Sequence, residues 1–237
     1  MSKGICTVSV AALRADHSHQ SEMTSQLLYG ETVSILKNDG KFMKVKMDID
    51  GYEGWVDAQQ IAEVTEEILS KRAFEIITTP FKTYNTRQGK ILLSLGSEVG
   101  VEHRNENNAL QLEDISETAE QFLNVPYLWS GRSFFGVDCS GFVQLLYKVH
   151  GINLPRDAYQ QAEIGEVLSF IEESKPGDLA FFENEEGAIT HVGMMLNDHE
   201  IIHAYGKVRI DSLDSTGIYN RELKKHTHKL RFLRSIF

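Results

Sequence analysis

Cysteine is scarce in this chain of 237 residues, which holds only Cys6 and Cys139. Basic side chains are also in deficit, with 24 lysines and arginines against 34 aspartates and glutamates and a formal charge of −10. Phosphate binding relies on clustered Lys and Arg, and no such cluster is found, so nucleic acid is not an expected partner. Long hydrophobic runs are missing as well. No stretch approaches the length that spans a bilayer, so no membrane partner is expected either. The opening MSKGICTVSVAALRADHS has one lysine and a short alternating run in place of a continuous apolar region, and does not read as a secretory signal. Together with the unpaired thiols this favours the cytoplasm, where cysteines stay reduced, although export without a cleaved signal leaves another location open.

What is present is ordinary for a soluble globular protein: 41% hydrophobic and 24% charged residues. The length supports a sizeable core and at least two domains. From residue 1 to about 62 short strands alternate with turn signals. Cys6, Val8 and Val10 alternate, Thr32 to Leu36 follows Gly30, Phe42 to Met47 follows Asp39-Gly40, and Asp50-Gly51 precedes Tyr52 to Val56. This predicts a small antiparallel barrel with Cys6 in its core. Residues 63–112 are mixed: a helical piece from Val64 to Arg72, strand-like Glu75 to Thr78, Lys90 to Leu95 and Glu98 to Val101, and a polar loop or boundary from Arg104 to Asn108. They form a linker or a degenerate second barrel. Asp114-Ile115-Ser116-Glu117 then resembles a capping box, with Ala119, Phe122 and Leu123 expected on one helical face.

The chemistry concentrates at Asp138-Cys139-Ser140-Gly141-Phe142-Val143. Phe142, Val143, Leu146 and Val149 recur at helical spacing, Asp138 is a good N-cap and Gly151 a stop, so Cys139 falls in the first turn of an amphipathic helix. Free backbone N–H groups and the positive helix end favour a thiolate there, the form that attacks a carbonyl carbon. A disulfide to Cys6 would abolish that chemistry. The apolar run Thr190 to Leu196 opens with His191, and Glu200 to Tyr205 carries His203, 12 residues beyond His191. A hairpin would set the two imidazoles on neighbouring strands, with His191 as base for Cys139 and His203 accepting a hydrogen bond from its other ring nitrogen.

Each motif alone has a structural explanation. Free cysteines in apolar helices are usually small core residues, strand histidines are usually structural, and Lys175-Pro176-Gly177-Asp178 is complete as a turn into the buried run Leu179 to Phe182. Their joint order argues otherwise. In that order Pro126 to Arg132, the cysteine segment, Leu154-Pro155-Arg156-Asp157, the Lys175 to Phe182 stretch and the two histidines resemble the NlpC/p60 superfamily of papain-like cysteine peptidases over residues 113–237. Ser130 stands where a glycine is commoner. The string GYEGWV, with SEMTSQLLYGE upstream, resembles a bacterial SH3-like domain of the kind fused to such peptidases.

The resemblance implies an α+β fold: a papain-like catalytic domain at 113–237 preceded by a small all-β SH3-like barrel at 1–62. It also implies a γ-D-glutamyl-L-diamino acid endopeptidase acting in murein peptide recycling on tripeptides or tetrapeptides with a free N-terminal L-Ala. The lead-in tyrosine, the aspartate before the nucleophile and the serine after it, which bind that L-Ala in such relatives, match Tyr127, Asp138 and Ser140. Glu22 and Tyr52 match barrel positions that close the non-primed side of the cleft. An exported hydrolase of intact wall and a binding module without turnover remain open as alternatives.

No metal or cofactor is expected. Asp48 and Asp50 belong to a hairpin turn, and the pairs His17/His19 and His226/His228, the latter expected on one strand face, supply too few ligands for a closed zinc site. His103, His150 and His199 lie beside polar or turn residues and are expected to face solvent.

Overall fold

A computed structural model describes residues 2–101 and 109–237; His103 and the Arg104 to Asn108 segment lie outside the described residues. The alternating front of the chain forms β1 (Ser2–Cys6), β2 (Val10–Arg14), β3 (Met23–Leu28), β4 (Thr32–Asn38), β5 (Phe42–Met47), β6 (Glu53–Asp57) and β7 (Ile61–Val64). They make one antiparallel sheet in the order β3-β2-β6-β5-β4-β1-β7. It wraps around Cys6, Leu13, Leu27, Val33, Val45 and Val56. The expected Cys6-Val8-Val10 strand is broken: β1 ends at Cys6 and β2 starts at Val10, because the chain turns to pair β1 with β4 and β7 but β2 with β3 and β6. Gly54 has a packing reason, since a Cβ there would lie 2.5 Å from the Leu13 side chain.

Between the barrel and the C-terminal half, α1 (Glu66–Ser70) is capped by the Thr65 hydroxyl. It leads to β8 (Ala73–Ile76), β9 (Phe81–Thr86), β10 (Gly89–Ser94) and β11 (Glu98–Val101). These pair as two nested ladders, β8 with β11 and β9 with β10, over a small cluster of Ile77, Leu93 and Val99.

The C-terminal half opens with α2 (Ile115–Glu120), which buries Ile115, Thr118 and Ala119. The expected capping box is not formed. A 3₁₀ turn over Leu112–Asp114 feeds the helix directly, and the Asp114 side chain makes no capping bond. Leu123 is exposed, since the helix has ended before it. The short strands β12 (Arg132–Ser133) and β13 (Gly136–Val137) precede α3 (Cys139–Val149) and α4 (Ala158–Gln161). The strands β14 (Glu166–Leu168), β15 (Leu179–Glu183), β16 (Ile189–Met195), β17 (Glu200–Tyr205), β18 (Lys207–Asp214), β19 (Gly217–Asn220) and β20 (Lys225–Ser235) follow.

Their sheet runs β14-β20-β15-β16-β17-β18-β19, and the long β20 also pairs with β19, closing β15 to β20 on themselves. One face carries Phe181, Val192, Met194, Ile202 and Ala204 against α3, whose Phe142, Val143 and Leu146 have no solvent exposure. The other face, with Ala180, Phe182, Met195, Ile201 and Leu213, fills the interior of the closed sheet. This two-faced burial explains why β15 to β17 read as continuous apolar runs. His199 is exposed as expected, but His150 is buried beside α2, its Nε2 3.2 Å from the Thr118 hydroxyl.

Candidate active site

Asp138 caps α3 as its sequence position predicts, accepting from the Gly141 amide at 2.7 Å, so Cys139 begins the helix. Gly141 lets that turn approach the lead-in segment, because a Cβ there would fall 2.3 Å from the Gly131 carbonyl oxygen. Ser130 takes up a left-handed conformation, φ 60°, at the place where a glycine would be unstrained. The backbone amide of Val192, the residue after His191, points at the Cys139 sulfur. Helix α3 and strand β16 thus bring the thiol to the side of His191.

His191 Nε2 lies 2.9 Å from Nδ1 of His203, the neighbouring-strand contact the sequence anticipated. Gly193 makes room for it: a Cβ there would be 2.9 Å from His203 Cβ. Among the described residues Nδ1 of His191 forms no hydrogen bond, which leaves that nitrogen to meet the thiol. The line extends further than the sequence reading, since Nε2 of His203 lies 3.2 Å from Oδ2 of the fully buried Asp211. His228 stacks on His191 with ring centroids 4.2 Å apart. The expectation that His226 and His228 share a strand face fails, because a bulge at Thr227 sets them opposite the consecutive residues Tyr219 and Ile218. His226 instead meets Asp214 at 2.9 Å.

The electrostatics correct one expectation. Burial first, and the Asp138 charge second, push the Cys139 thiol up to about 11, so the free protein holds a thiol at neutral pH. The helix dipole that favours thiolate is worth only about 0.3–1 kcal/mol, less than this desolvation. Burial, followed by the neighbouring His203 and His228, holds His191 well below its ordinary value. A neutral imidazole beside a neutral thiol is a base waiting for a proton.

A cleft of about 430 Å³ opens over the thiol, lined by Tyr127, Trp129, Asp138, Cys139, Ser140, Arg156, Asp157, Tyr159, Ile189 and Thr190 from the C-terminal half and by Glu22, Thr24 and Tyr52 from the barrel. Six of the eight residues singled out from the sequence line this cleft; His191 and His203 do not, His191 following Thr190 on β16 and meeting His203 at 2.9 Å. Burial, then the charges of Cys139 and Asp138, push the Tyr127 phenol up to about 12, leaving it a neutral hydrogen-bonding group. Glu22 accepts from Trp129 Nε1 at 2.9 Å, closing one end of the cleft.

Arg156 went unassigned in the sequence. It donates to both Asp138 oxygens at 3.1 and 2.6 Å, to Ser140 Oγ at 3.0 Å and to Ser25 Oγ of the barrel at 3.1 Å. Asp138 is thereby compensated, whereas neither Glu22 nor Asp157 forms an ion pair among the described residues. The signal was present in Leu154-Pro155-Arg156-Asp157, where a buried arginine calls for a carboxylate, but nothing local names Asp138 as the partner. The described residues contain no cluster of His, Cys, Asp and Glu able to hold a metal ion.

Comparison with known proteins agrees with this construction. The NlpC/P60 family model matches residues 124–227, and the model of the bacterial dipeptidyl-peptidase SH3 domain matches residues 13–61. The chain is 30% identical over 256 residues to gamma-D-glutamyl-L-lysine dipeptidyl-peptidase of Bacillus subtilis, covering 93% of this chain and 81% of that protein. It is 29% identical over 230 residues to the Bacillus cereus protein of the same name, covering 79% and 68%. The crystal structure of an NlpC/P60 family protein from Bacillus cereus superposes with a TM-score of 0.83 over 99% of both chains at 21% identity. With the family model seated on the residues that bear the thiol and both imidazoles, and a relative matched across most of its length, the chain belongs to the NlpC/P60 family: it is a cysteine peptidase of α+β fold with an SH3-like domain at its front.

Proposed function

We propose that this peptidase hydrolyses the bond between γ-D-Glu and an L-diamino acid in murein peptides that carry a free N-terminal L-Ala. The observation that carries the reading is the barrel's contribution to the cleft: Glu22, Thr24 and Tyr52 wall off the end beyond Cys139, with Glu22 tied to Trp129. A peptide chain continuing past that end would meet the wall, and the unpaired Glu22 carboxylate is placed for an ammonium. The names of the two Bacillus relatives, which specify a γ-D-glutamyl-L-lysine substrate and a dipeptidyl product, support the same register. Tyr127 and Tyr52 supply hydroxyls for the L-Ala residue, while Asp138 and Ser140, held by Arg156, form its floor.

In this mechanism Cys139 is the nucleophile, His191 the base and His203 its orienting partner. The thiol proton passes to His191 Nδ1 as sulfur attacks the γ-carbonyl carbon, and the Cys139 backbone N–H donates to the oxyanion. His191 then protonates the leaving amine of the diamino acid and the C–N bond breaks, leaving a thioester. Water attacks that thioester with His191 again as base, releasing the L-Ala-γ-D-Glu product and restoring the thiol. A free murein peptide as substrate supports a role in recycling, with the cytoplasm as the location, where Cys6 and Cys139 would stay reduced.

Mass spectrometry of L-Ala-γ-D-Glu-diaminopimelate, with and without a blocked N-terminus, tests this. Cleavage after D-Glu only when the amine is free is the expected result. Cleavage of both peptides would redirect the reading to wall hydrolysis, and cleavage of neither would remove the substrate assignment.

A further inference from the structure

Asp211 has a surrounding that fixes what it can do. Its Oδ1 accepts from Arg209 Nη2 at 3.1 Å and from the Arg221 amide at 2.9 Å. Its Oδ2 accepts from Arg209 Nε at 2.6 Å and from Asn220 Nδ2 at 3.4 Å, and lies 3.2 Å from His203 Nε2. Apart from the imidazole, every one of these neighbours is a donor. The carboxylate is therefore acceptor-only, and His203 meets it with a proton on Nε2.

A neutral imidazole has one N–H and one lone pair. With the proton of His203 on Nε2, its Nδ1 is an acceptor, and the 2.9 Å contact to His191 requires the proton of His191 to be on Nε2. Nδ1 of His191 is then the lone pair, the ring nitrogen left to take the thiol proton. We propose that Asp211 is a positioning residue that sets the tautomer of the catalytic base two imidazoles away, and that Arg209 keeps it able to do so. The same chain of hydrogen bonds stabilises the positive charge that arises on His191 during attack. Burial of both rings favours their neutral forms, which is the condition the relay needs. The inference rests on His191 being the base of Cys139.

Asp211→Asn is the informative change. The amide can place its NH₂ at the Oδ1 position, against the two donors Arg209 Nη2 and Arg221 N–H, or at the Oδ2 position, where it donates to His203 Nε2. Each position opposes two donors, but at the second one of them is the long 3.4 Å contact from Asn220 Nδ2, and there the amide gains an acceptor in His203; that choice reverses both tautomers and leaves the proton of His191 on Nδ1. Nitrogen-15 histidine spectra of the substrate-free protein should show Nε2–H on both His191 and His203 in the wild type, Nδ1–H on both in Asp211→Asn, and Nε2–H again in Asp211→Glu. On the peptide substrate Asp211→Asn should lower kcat roughly 10²–10⁴-fold with KM little changed, the range seen for general-base contributions and for a triad aspartate turned to asparagine, and Asp211→Glu should restore part of it. Nδ1–H on His191 in the wild type overturns the proposal, even if Asp211→Asn fails to fold. Unchanged tautomers or wild-type kcat in Asp211→Asn overturn it equally. Because the spectra need no substrate, their failure is separable from failure of the nucleophile and base assignment, which Cys139→Ala reads by loss of turnover.

Discussion

Arg132 and Glu31 form a two-pronged ion pair between the catalytic domain and the barrel, Nη1 and Nη2 reaching the two carboxylate oxygens at 2.8 and 2.7 Å with neither side chain more than 2% exposed. Lys148 joins the same carboxylate at 2.6 Å. Burial alone would raise the Glu31 carboxyl, but Arg132 and then Lys148 outweigh it and hold the group at about 2. The barrel's wall of the cleft is thus fastened through charges that water does not reach.

Acid should loosen this seam in a defined window. The folded value of Glu31 is depressed below an unfolded value of about 4.3, so its stabilisation is fully present above that pH and is lost as pH falls toward about 2. Glu31→Gln leaves the buried Arg132 without its carboxylate and Lys148 with Glu98 alone, and should cost about 3–5 kcal/mol in urea unfolding at neutral pH. The same variant should show a flatter loss of stability between pH 4 and 2. A cost below about 1 kcal/mol, the range of exposed pairs, would mean that the seam is held by packing instead.

Thiol reactivity reports the resting state of the site. With Cys139 pushed up to about 11, alkylation of the free protein by iodoacetamide should climb roughly tenfold per pH unit from neutrality to pH 9. Cys6, with no solvent exposure and pushed up to about 12, should not compete. A rate that is already flat at pH 7 would show a preformed thiolate and imidazolium pair.

Local signals made much of this molecule legible. The Asp138 cap, the Gly151 stop at φ 83° and the Gly177 turn at φ 97° are where side-chain chemistry and backbone sterics alone demand them. The His191 and His203 hairpin followed from apolar runs of strand length. What escaped depends on distance in the chain. Glu31 and Arg132 are 101 residues apart and Asp138 and Arg156 are 18 apart, and a buried ion pair leaves no periodicity by which one partner predicts the other. Asp211 is only eight residues from His203 and escaped for another reason: it is the register of the β17 and β18 hairpin, with His203 opposite Arg209, that sets the carboxylate beside the imidazole, and nothing local marks that register. His228 was obscured by a one-residue bulge, which changes the face a side chain occupies and has no reliable sequence mark.

Arg156 should matter to both stability and chemistry. Arg156→Met removes the compensation of the Asp138 carboxylate and should cost about 3–5 kcal/mol. In whatever fraction folds, the uncompensated negative charge beside Cys139 should move the alkylation profile to still higher pH. Arg156→Lys keeps the charge but loses the two-pronged contact, so it should fall between the two in thermal and alkylation measurements. An alkylation profile unmoved in Arg156→Met would show that the guanidinium serves packing only.

Glu22 carries the most specific test of the barrel's role, because its effect should depend on one atom of the substrate. A hydrogen bond to a charged group is worth about 1.5–3 kcal/mol, so Glu22→Gln should raise KM for a free-amine tripeptide roughly 10–100-fold. The same change should leave an N-acetylated peptide, which has no ammonium to lose, nearly unaffected. Trp129→Phe deletes the 2.9 Å bond that holds Glu22 while leaving its charge, and should raise KM for the free amine by a smaller factor. In the double variant the two effects should not add, since the tether has no function once the carboxylate is gone. If Glu22→Gln weakened both peptides equally, Glu22 would be a wall of the cleft and the selectivity for a free amine would have to come from Asp157, the other carboxylate of the lining without an ion-pair partner.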